Sequence, residues 1–193
     1  MRNIFHLALL LIVCSSPVLA SSAQQVELIV FRQGSSNLPA SHIAPDLWAQ
    51  GAPMLSRESQ RSTQLDYLAN KLTAENGYQV VLHQSWLQAD GDPAVALTRG
   101  PAFFEHYPVQ GTLTLSLARH TTVHLDLWLN QFNADKTLLS SERFKHKATV
   151  KRDQVTFIDH YPFGALIRIQ PYGKAKQSAV QNDAHAAEFE QFS

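Results

Sequence analysis

The sequence has little that could cross-link the chain, span a membrane or give the surface a strong charge. Cys14 is the only cysteine among 193 residues, so no disulfide can form within the chain and no metal site with two or more thiolate ligands can be built. The 16 basic and 16 acidic side chains cancel, which removes any global attraction to nucleic acid or anionic lipid. No run reaches the roughly 20 apolar residues that a transmembrane helix needs. We therefore expect neither nucleic-acid binding nor membrane spanning.

The first 20 residues have the parts of a secretory signal peptide. Arg2 supplies a positive start, residues 4–14 form a short apolar run, and Ala20 and Ala23 are small residues at which signal peptidase can cut. Cleavage at either place also removes Cys14. The sequence therefore predicts a mature protein of the Gram-negative periplasm that carries no thiol.

Alternation of apolar and polar residues predicts that most of the chain is β-structure. Six segments carry this period-two pattern: residues 25–32, 78–88, 111–118, 123–129, 142–151 and 154–160. We expect the third and fourth to form a hairpin, and the fifth to pair with the sixth across a turn at Arg152 and Asp153. Residues 165–169 fit either a closing strand or a short helix.

One main helix is expected between the first two strands. From Ser62 onward, apolar residues recur at helical spacing, at Leu65, Leu68, Ala69 and Leu72. Gly77 then supplies a left-handed end. Residues 33–60 contain three prolines and no periodicity, which predicts a long loop.

These elements predict an α+β fold class with a single domain at residues 24–172. It has a mainly antiparallel sheet of about six strands and one main helix. Residues 1–20 are the signal peptide. Residues 173–193 are rich in Ala, Gln and Lys with little to bury, so a disordered tail is expected there.

Four segments resemble, in order, the CsiV family of proteobacterial periplasmic peptidoglycan-binding proteins. YQVVLHQSWLQ at residues 78–88 is similar to the family's gYrvLlH-aWrQ strand. Residues 111–115, Arg119 and residues 124–129 are similar to its central hairpin, residues 159–160 and 163–167 to its closing segment, and residues 26–31 to its opening strand. Residues 154–161 depart from the family's ELHYLDHP, because the Glu, the first His and the Pro directly after the second His are missing.

The resemblance implies a non-enzymatic protein that binds peptidoglycan and supports wall synthesis at division. It further implies two partners, a lipoprotein activator and the class A penicillin-binding synthase that this lipoprotein activates. No cofactor is implied.

A row of cations is the binding feature that the residues predict by themselves. Arg143, Lys145, Lys147 and Lys151 share one face of the fifth strand, in a stripe about 25 Å long at roughly 3.3 Å per residue. Stem peptides of the wall carry free carboxylates, which suit such a stripe. The alternative is that lysines on an edge strand prevent sheets from pairing edge to edge.

Four further residues are candidates for ligand binding. Arg119 lies at the hairpin turn, and His124 matches the histidine of the family's hairpin. Trp86 and Trp128 could stack on sugar rings. The alternatives are packing in the core for both tryptophans and a structural hydrogen bond for His124.

Two rival functions remain as alternatives, and one pair of histidines has the spacing of a metal site. His83, Asp159 and His160 would form the acid–base group of a wall hydrolase if their strands were neighbours. A purely protein-binding adaptor is the other rival. His120 and His124 have a zinc-protease spacing without its Glu, but on a strand and turn they lie as much as ~13 Å apart, so no metal is expected.

Overall fold

The computed structural model describes residues 23–34, 42–89, 91 and 94–172. The predicted signal peptide at residues 1–20 and the predicted tail at residues 173–193 lie outside this part of the chain. No helix within the described ranges has the length and apolar character needed to cross a bilayer.

Strands make up most of the described chain. They are β1 (Gln24–Gln33), β2 (Gln60–Arg61), β3 (Tyr78–Gln88), β4 (Val95–Arg99), β5 (Val109–Ser116), β6 (Thr121–Phe132), β7 (Leu138–Val150), β8 (Thr156–His160) and β9 (Phe163–Pro171). The helical elements among these residues are α1 (Asp66–Ala69) and a 3-10 turn (Ala74–Asn76).

The strands form two antiparallel sheets that face each other. The first sheet has the order β2-β3-β1-β9-β8 and the second has the order β4-β5-β6-β7. Buried apolar side chains from both sheets meet in one core cluster, which includes Leu28, Trp86, Ile167, Leu113, Leu125 and Phe144. The molecule is therefore a β-sandwich, in which inward positions are apolar and alternate with outward ones.

The predicted α+β fold class is wrong, because the expected main helix is absent. Within residues 62–77, only Asp66–Ala69 is α-helical, and Thr73 then adopts an extended backbone before the 3-10 turn. The four apolar residues of this segment do pack together, against Ile29 and Phe31 on the outer side of the first sheet: Leu65, Leu68, Ala69 and Leu72. Their spacing reflects one covered patch and not a long helix. Gly77 has φ +78° as predicted, but it ends the 3-10 turn.

The predicted pairing of the fifth and sixth strands is also wrong. β7 pairs with β6 in the second sheet, whereas β8 pairs with β9 in the first. The chain crosses between sheets at residues 151–155, so side chains of β7 and β8 meet across the sandwich while their backbones do not pair. Residues 165–169 belong to β9, and β4 lies outside the six segments that were predicted as strands.

A segment that we call the strap, residues 42–55, crosses the outer side of the second sheet. At one end Ser141 of β7 donates its N–H to the carbonyl of His42 over 2.9 Å. At the other end Ala96 of β4 donates to Pro53 over 2.8 Å. Trp48 anchors the middle, because its buried indole N–H donates to the Glu105 carbonyl over 3.0 Å. The strap therefore covers part of this sheet from edge to edge.

Glu27 of β1 is a buried carboxylate on the outer side of the first sheet. Its Oε1 accepts the backbone N–H groups of Gln64 and Leu65, each over 2.8 Å, and lies 2.9 Å from His83 Nε2. Its Oε2 lies 3.1 Å from Arg168 Nη2. One side chain thus ties β3 and β9 to the start of the α1 region.

Candidate functional site

The outer side of the second sheet presents rows of polar side chains. Two cross-strand rows run over β5, β6 and β7: Thr112, Asp126 and Lys145 in one, and Thr114, His124 and Lys147 in the next. We call these six residues the polar face. Alternation places them outward because Leu113, Leu125 and His146, between them in sequence, point the other way. Hydroxyl, imidazole, carboxylate and ammonium groups therefore share one flat surface.

Arg143 is held in place by its neighbours on β6. Its Nε and Nη2 donate to the two carboxylate oxygens of Asp126 over 2.8 and 2.7 Å. The guanidinium carbon lies 4.7 Å from the centre of the Trp128 ring, a cation–π contact. The hydrogen bonds that Arg143 donates to Asp126, helped by the charge of Asp126, raise the pKa of Arg143 against the opposing effect of burial. Arg143 therefore neutralises Asp126 and has limited freedom to meet a ligand.

Lys145 and Lys147 carry the positive charge that remains. Lys145 Nζ lies 3.8 Å from Asp126, at the long limit of an ion pair, and its side chain is 52% exposed. Lys147 is exposed and has no ion pair with any described residue. Both project from β7, an edge strand of the second sheet. Arg143, Lys145 and Lys147 share the outer side of β7, but Arg143 is already paired with Asp126.

A cleft of about 220 Å³ lies where the strap meets the polar face. Strap residues 49–52 form one wall, and Thr112, Thr114, His124 and Asp126 form the floor. His124 is exposed and its imidazole makes no hydrogen bond within the described ranges, so a structural hydrogen bond by this side chain has no support. The cleft instead leaves its imidazole available to a ligand.

Arg119 and Lys151 lie away from the polar face. They line a second cleft, of about 470 Å³, between the β5–β6 turn and the segment that follows β7. We call it the end cleft. Lys151 follows the last residue of β7, so the predicted stripe ends in this cleft.

Comparison with protein families decides the assignment. The model of the family described as peptidoglycan-binding protein CsiV matches residues 53–172, which is more than half of the chain. The protein belongs to the CsiV family. Comparisons with curated proteins and with solved structures give no match.

The family resemblance read from the sequence is thereby confirmed over the matched range. The CsiV-like segments lie on β3, on the β5–β6 hairpin and on β8 and β9. The opening strand at residues 26–31 lies before the matched range. It is part of β1, which lies in the first sheet between β3 and β9. The polar face lies entirely within the CsiV match.

The two tryptophans that were candidates for sugar binding are packing residues in this CsiV-family protein. Trp86 is 1% exposed in the core, where its indole N–H donates to Gln88 over 3.1 Å. Trp128 is outward on β6 but is buried beneath Arg143. Neither ring offers a free face for a sugar, so the packing alternative describes both.

The residues proposed for hydrolysis do not come together. His83 lies beside Glu27, and β3 is separated from β8 by β1 and β9, three strand spacings or roughly 14 Å. Asp159 accepts a hydrogen bond from Gln33 over 3.2 Å. His160 points to the other side of β8 and stacks on Phe144, with ring centres 5.4 Å apart. No acid–base pair forms from these three.

The described ranges also contain no group of three or more side chains placed to hold a metal ion. His120 lies in the end cleft and His124 in the cleft under the strap.

Sequence reasoning missed the threonines Thr112 and Thr114 and the strap wall. The period-two pattern of residues 111–118 puts both threonines on one side of the strand, but only the strand pairing aligns them with His124 and Lys147.

Proposed function

We propose that this protein binds peptidoglycan without catalysis, through the polar face and the cleft beneath the strap. The observation that carries the proposal is the charge arrangement on β6 and β7. Asp126 is already held by two of the three guanidinium nitrogens of Arg143, which leaves Lys145 and Lys147 as surplus cations beside hydroxyl groups and an imidazole. A wall fragment combines these partners, because its sugars carry hydroxyls and its stem peptides carry carboxylates.

The location and partners form the second part of the proposal. The protein acts in the periplasm, supporting wall synthesis at division together with a lipoprotein activator and a class A penicillin-binding synthase. This part rests on the family resemblance and on the signal-like sequence at residues 1–20.

Protection of the sheet edge is the competing role for the lysines. β7 is an edge strand, where exposed lysines discourage pairing with another molecule. Edge protection needs only charge on the strand, whereas ligand binding needs the charge beside the cleft. A measurement of binding and of aggregation on the same variant separates the two roles.

Reversal of both lysines should weaken wall binding. In a pelleting assay with purified sacculi, the parent protein should sediment with the wall and release no soluble muropeptides. Lys145→Glu with Lys147→Glu should lower the affinity by about tenfold or more, because each exposed ion pair contributes up to about 1 kcal/mol and the new charges repel carboxylates. Raising the salt concentration should weaken the parent's binding, since exposed charges are screened.

A matched control is the double reversal of Arg57 and Lys71, both exposed and both outside the polar face. It changes the net charge equally and should bind as the parent does. Normal binding by the Lys145 and Lys147 variant, accompanied by aggregation, would assign the lysines to edge protection. Release of muropeptides would instead favour the hydrolase, and a parent that stays in the supernatant would favour the adaptor.

His124→Ala should reduce sacculus binding severalfold and leave the melting temperature unchanged. The side chain forms part of the cleft floor and makes no hydrogen bond among the described residues, so its removal costs the fold little. Thr122→Ala, at the next outward position of β6 and outside the strap cleft, is the control. A fall in stability of about 1 kcal/mol with unchanged binding would restore the structural role.

A further inference from the structure

The end cleft gathers positive charge without a counter-charge in its wall. Arg119 and His120 come from the β5–β6 turn, and Lys151 and Arg152 from the segment after β7. No Asp or Glu lines the cleft. In a protein whose formal net charge is zero, this is a local concentration of cations.

The arginines and the lysine of this cleft remain available to an anion. None of the three has an ion pair with a described residue. Arg152 uses Nε to donate to the Thr121 hydroxyl over 3.2 Å, which orients its guanidinium. Fork-shaped guanidinium groups suit the two oxygens of a carboxylate better than a single ammonium does. Converging cations within one cleft also raise the local concentration of anions.

The end cleft continues the line of the polar face. Lys147 and Lys151 are four residues apart along β7 and its extension, a distance of roughly 13 Å at about 3.3 Å per residue. Thr149 lies between them and lines the cleft. A ligand lying along β7 could therefore touch the polar face and the end cleft at once.

We propose that the end cleft is a subsite for a free carboxylate of a stem peptide whose wall strand lies on the polar face. This inference rests on the proposed function and divides recognition between two places. The polar face meets sugar hydroxyls and carboxylates of the wall strand, and the end cleft meets a further free carboxylate at the end of a stem peptide.

The test uses native sacculi and sacculi whose free carboxyl groups have been amidated. The variant Arg119→Gln with Lys151→Gln leaves Arg152 in place, because Arg152 bonds to Thr121. The control is Arg57→Gln with Lys71→Gln, which removes the same charge from exposed positions outside both clefts. Apparent affinities come from pelleting, and melting temperatures confirm that each variant is folded.

We expect the end-cleft variant to bind native sacculi about tenfold more weakly than the control. Amidation should weaken the parent about tenfold more than it weakens the variant, because the variant has already lost its end-cleft partner and keeps only the carboxylate contacts of Lys145 and Lys147. An equal loss on amidation in parent and variant would overturn the inference. Full binding of the parent to amidated sacculi would also overturn the inference. If inorganic phosphate then released the parent from these sacculi, the cleft would be assigned to phosphate.

The two proposals fail in different ways. If the parent does not sediment with native sacculi, the proposed function is wrong and the subsite is wrong with it. If the Lys145 and Lys147 variant loses binding while the end-cleft variant keeps it, the function stands and the subsite is wrong.

Arg119→Lys keeps the positive charge and removes the fork-shaped guanidinium. Its affinity for native sacculi should therefore lie between that of the parent and that of Arg119→Gln.

Discussion

Glu27→Ala is expected to lower the free energy of unfolding by about 3–5 kcal/mol, because it removes one partner of a buried ion pair. Glu27 is 1% exposed and Arg168 would lose its carboxylate partner on β9. The N–H groups of Gln64 and Leu65 would lose their acceptor at the same time. Urea denaturation at neutral pH measures the change.

Glu75→Ala is the matched control, since Glu75 is exposed in the 3-10 turn. We expect it to change stability by less than about 0.5 kcal/mol. The loss of stability in Glu27→Gln should lie between the losses in these two variants, because the amide oxygen can still accept one of the hydrogen bonds. If Glu27→Ala and Glu75→Ala unfold at the same urea concentration, the buried carboxylate contributes nothing to stability.

Gly111→Ala is expected to destabilise the protein by about 3 kcal/mol through a collision inside the second sheet. Gly111 pairs with Leu127 across β5 and β6 and has φ +152°. A Cβ atom there would collide with the backbone oxygen of Asp126 and would lie 2.5 Å from Leu127 Cα. Backbone cannot swing aside as a flexible side chain can, so β6 would have to shift. Thermal and urea denaturation measure the loss.

Gly77→Ala separates that collision from the cost of an unusual backbone. Gly77 also has positive φ, at +78°, but a Cβ atom there meets nothing within 4 Å. It should therefore cost only about 1 kcal/mol, the penalty for a left-handed residue with a side chain. Equal losses at the two glycines would show that β5 and β6 can separate without cost. A larger loss at Gly111 would give a physical reason for the glycine that begins the CsiV-like hairpin.

The strands that alternate strictly were predictable from the sequence. On β6, Val123, Leu125 and Leu127 are buried in the core while His124 is exposed, as the period-two pattern requires. The β5–β6 hairpin is confirmed for the same reason. β4 escaped prediction because Val95, Ala96 and Leu97 are all buried, and three consecutive apolar residues have no alternation.

Long-range partners were not predictable, and they decide both the fold class and the site. Leu65 and Leu72 have helical spacing, but the Glu27 carboxylate fixes the start of their segment from 38 positions away along the chain. The sequence predicts a stripe of four cations from Arg143 to Lys151. Asp126 distinguishes Arg143 from Lys147 only because β6 and β7 pair in one register. Sequence spacing carries no information on that register.

The two ends of the folded domain are neighbours, which makes the topology nearly circular. Gln24 pairs with Pro171, and Tyr172 donates its N–H to the Ala23 carbonyl over 2.9 Å. Asp153, next to Arg152, donates to Ile169 close to the same corner. A tag or immobilisation point at either end would therefore stand near the end cleft. A circular permutant joined at this corner and opened in the β6–β7 turn would move such an attachment to the opposite end of the sheet.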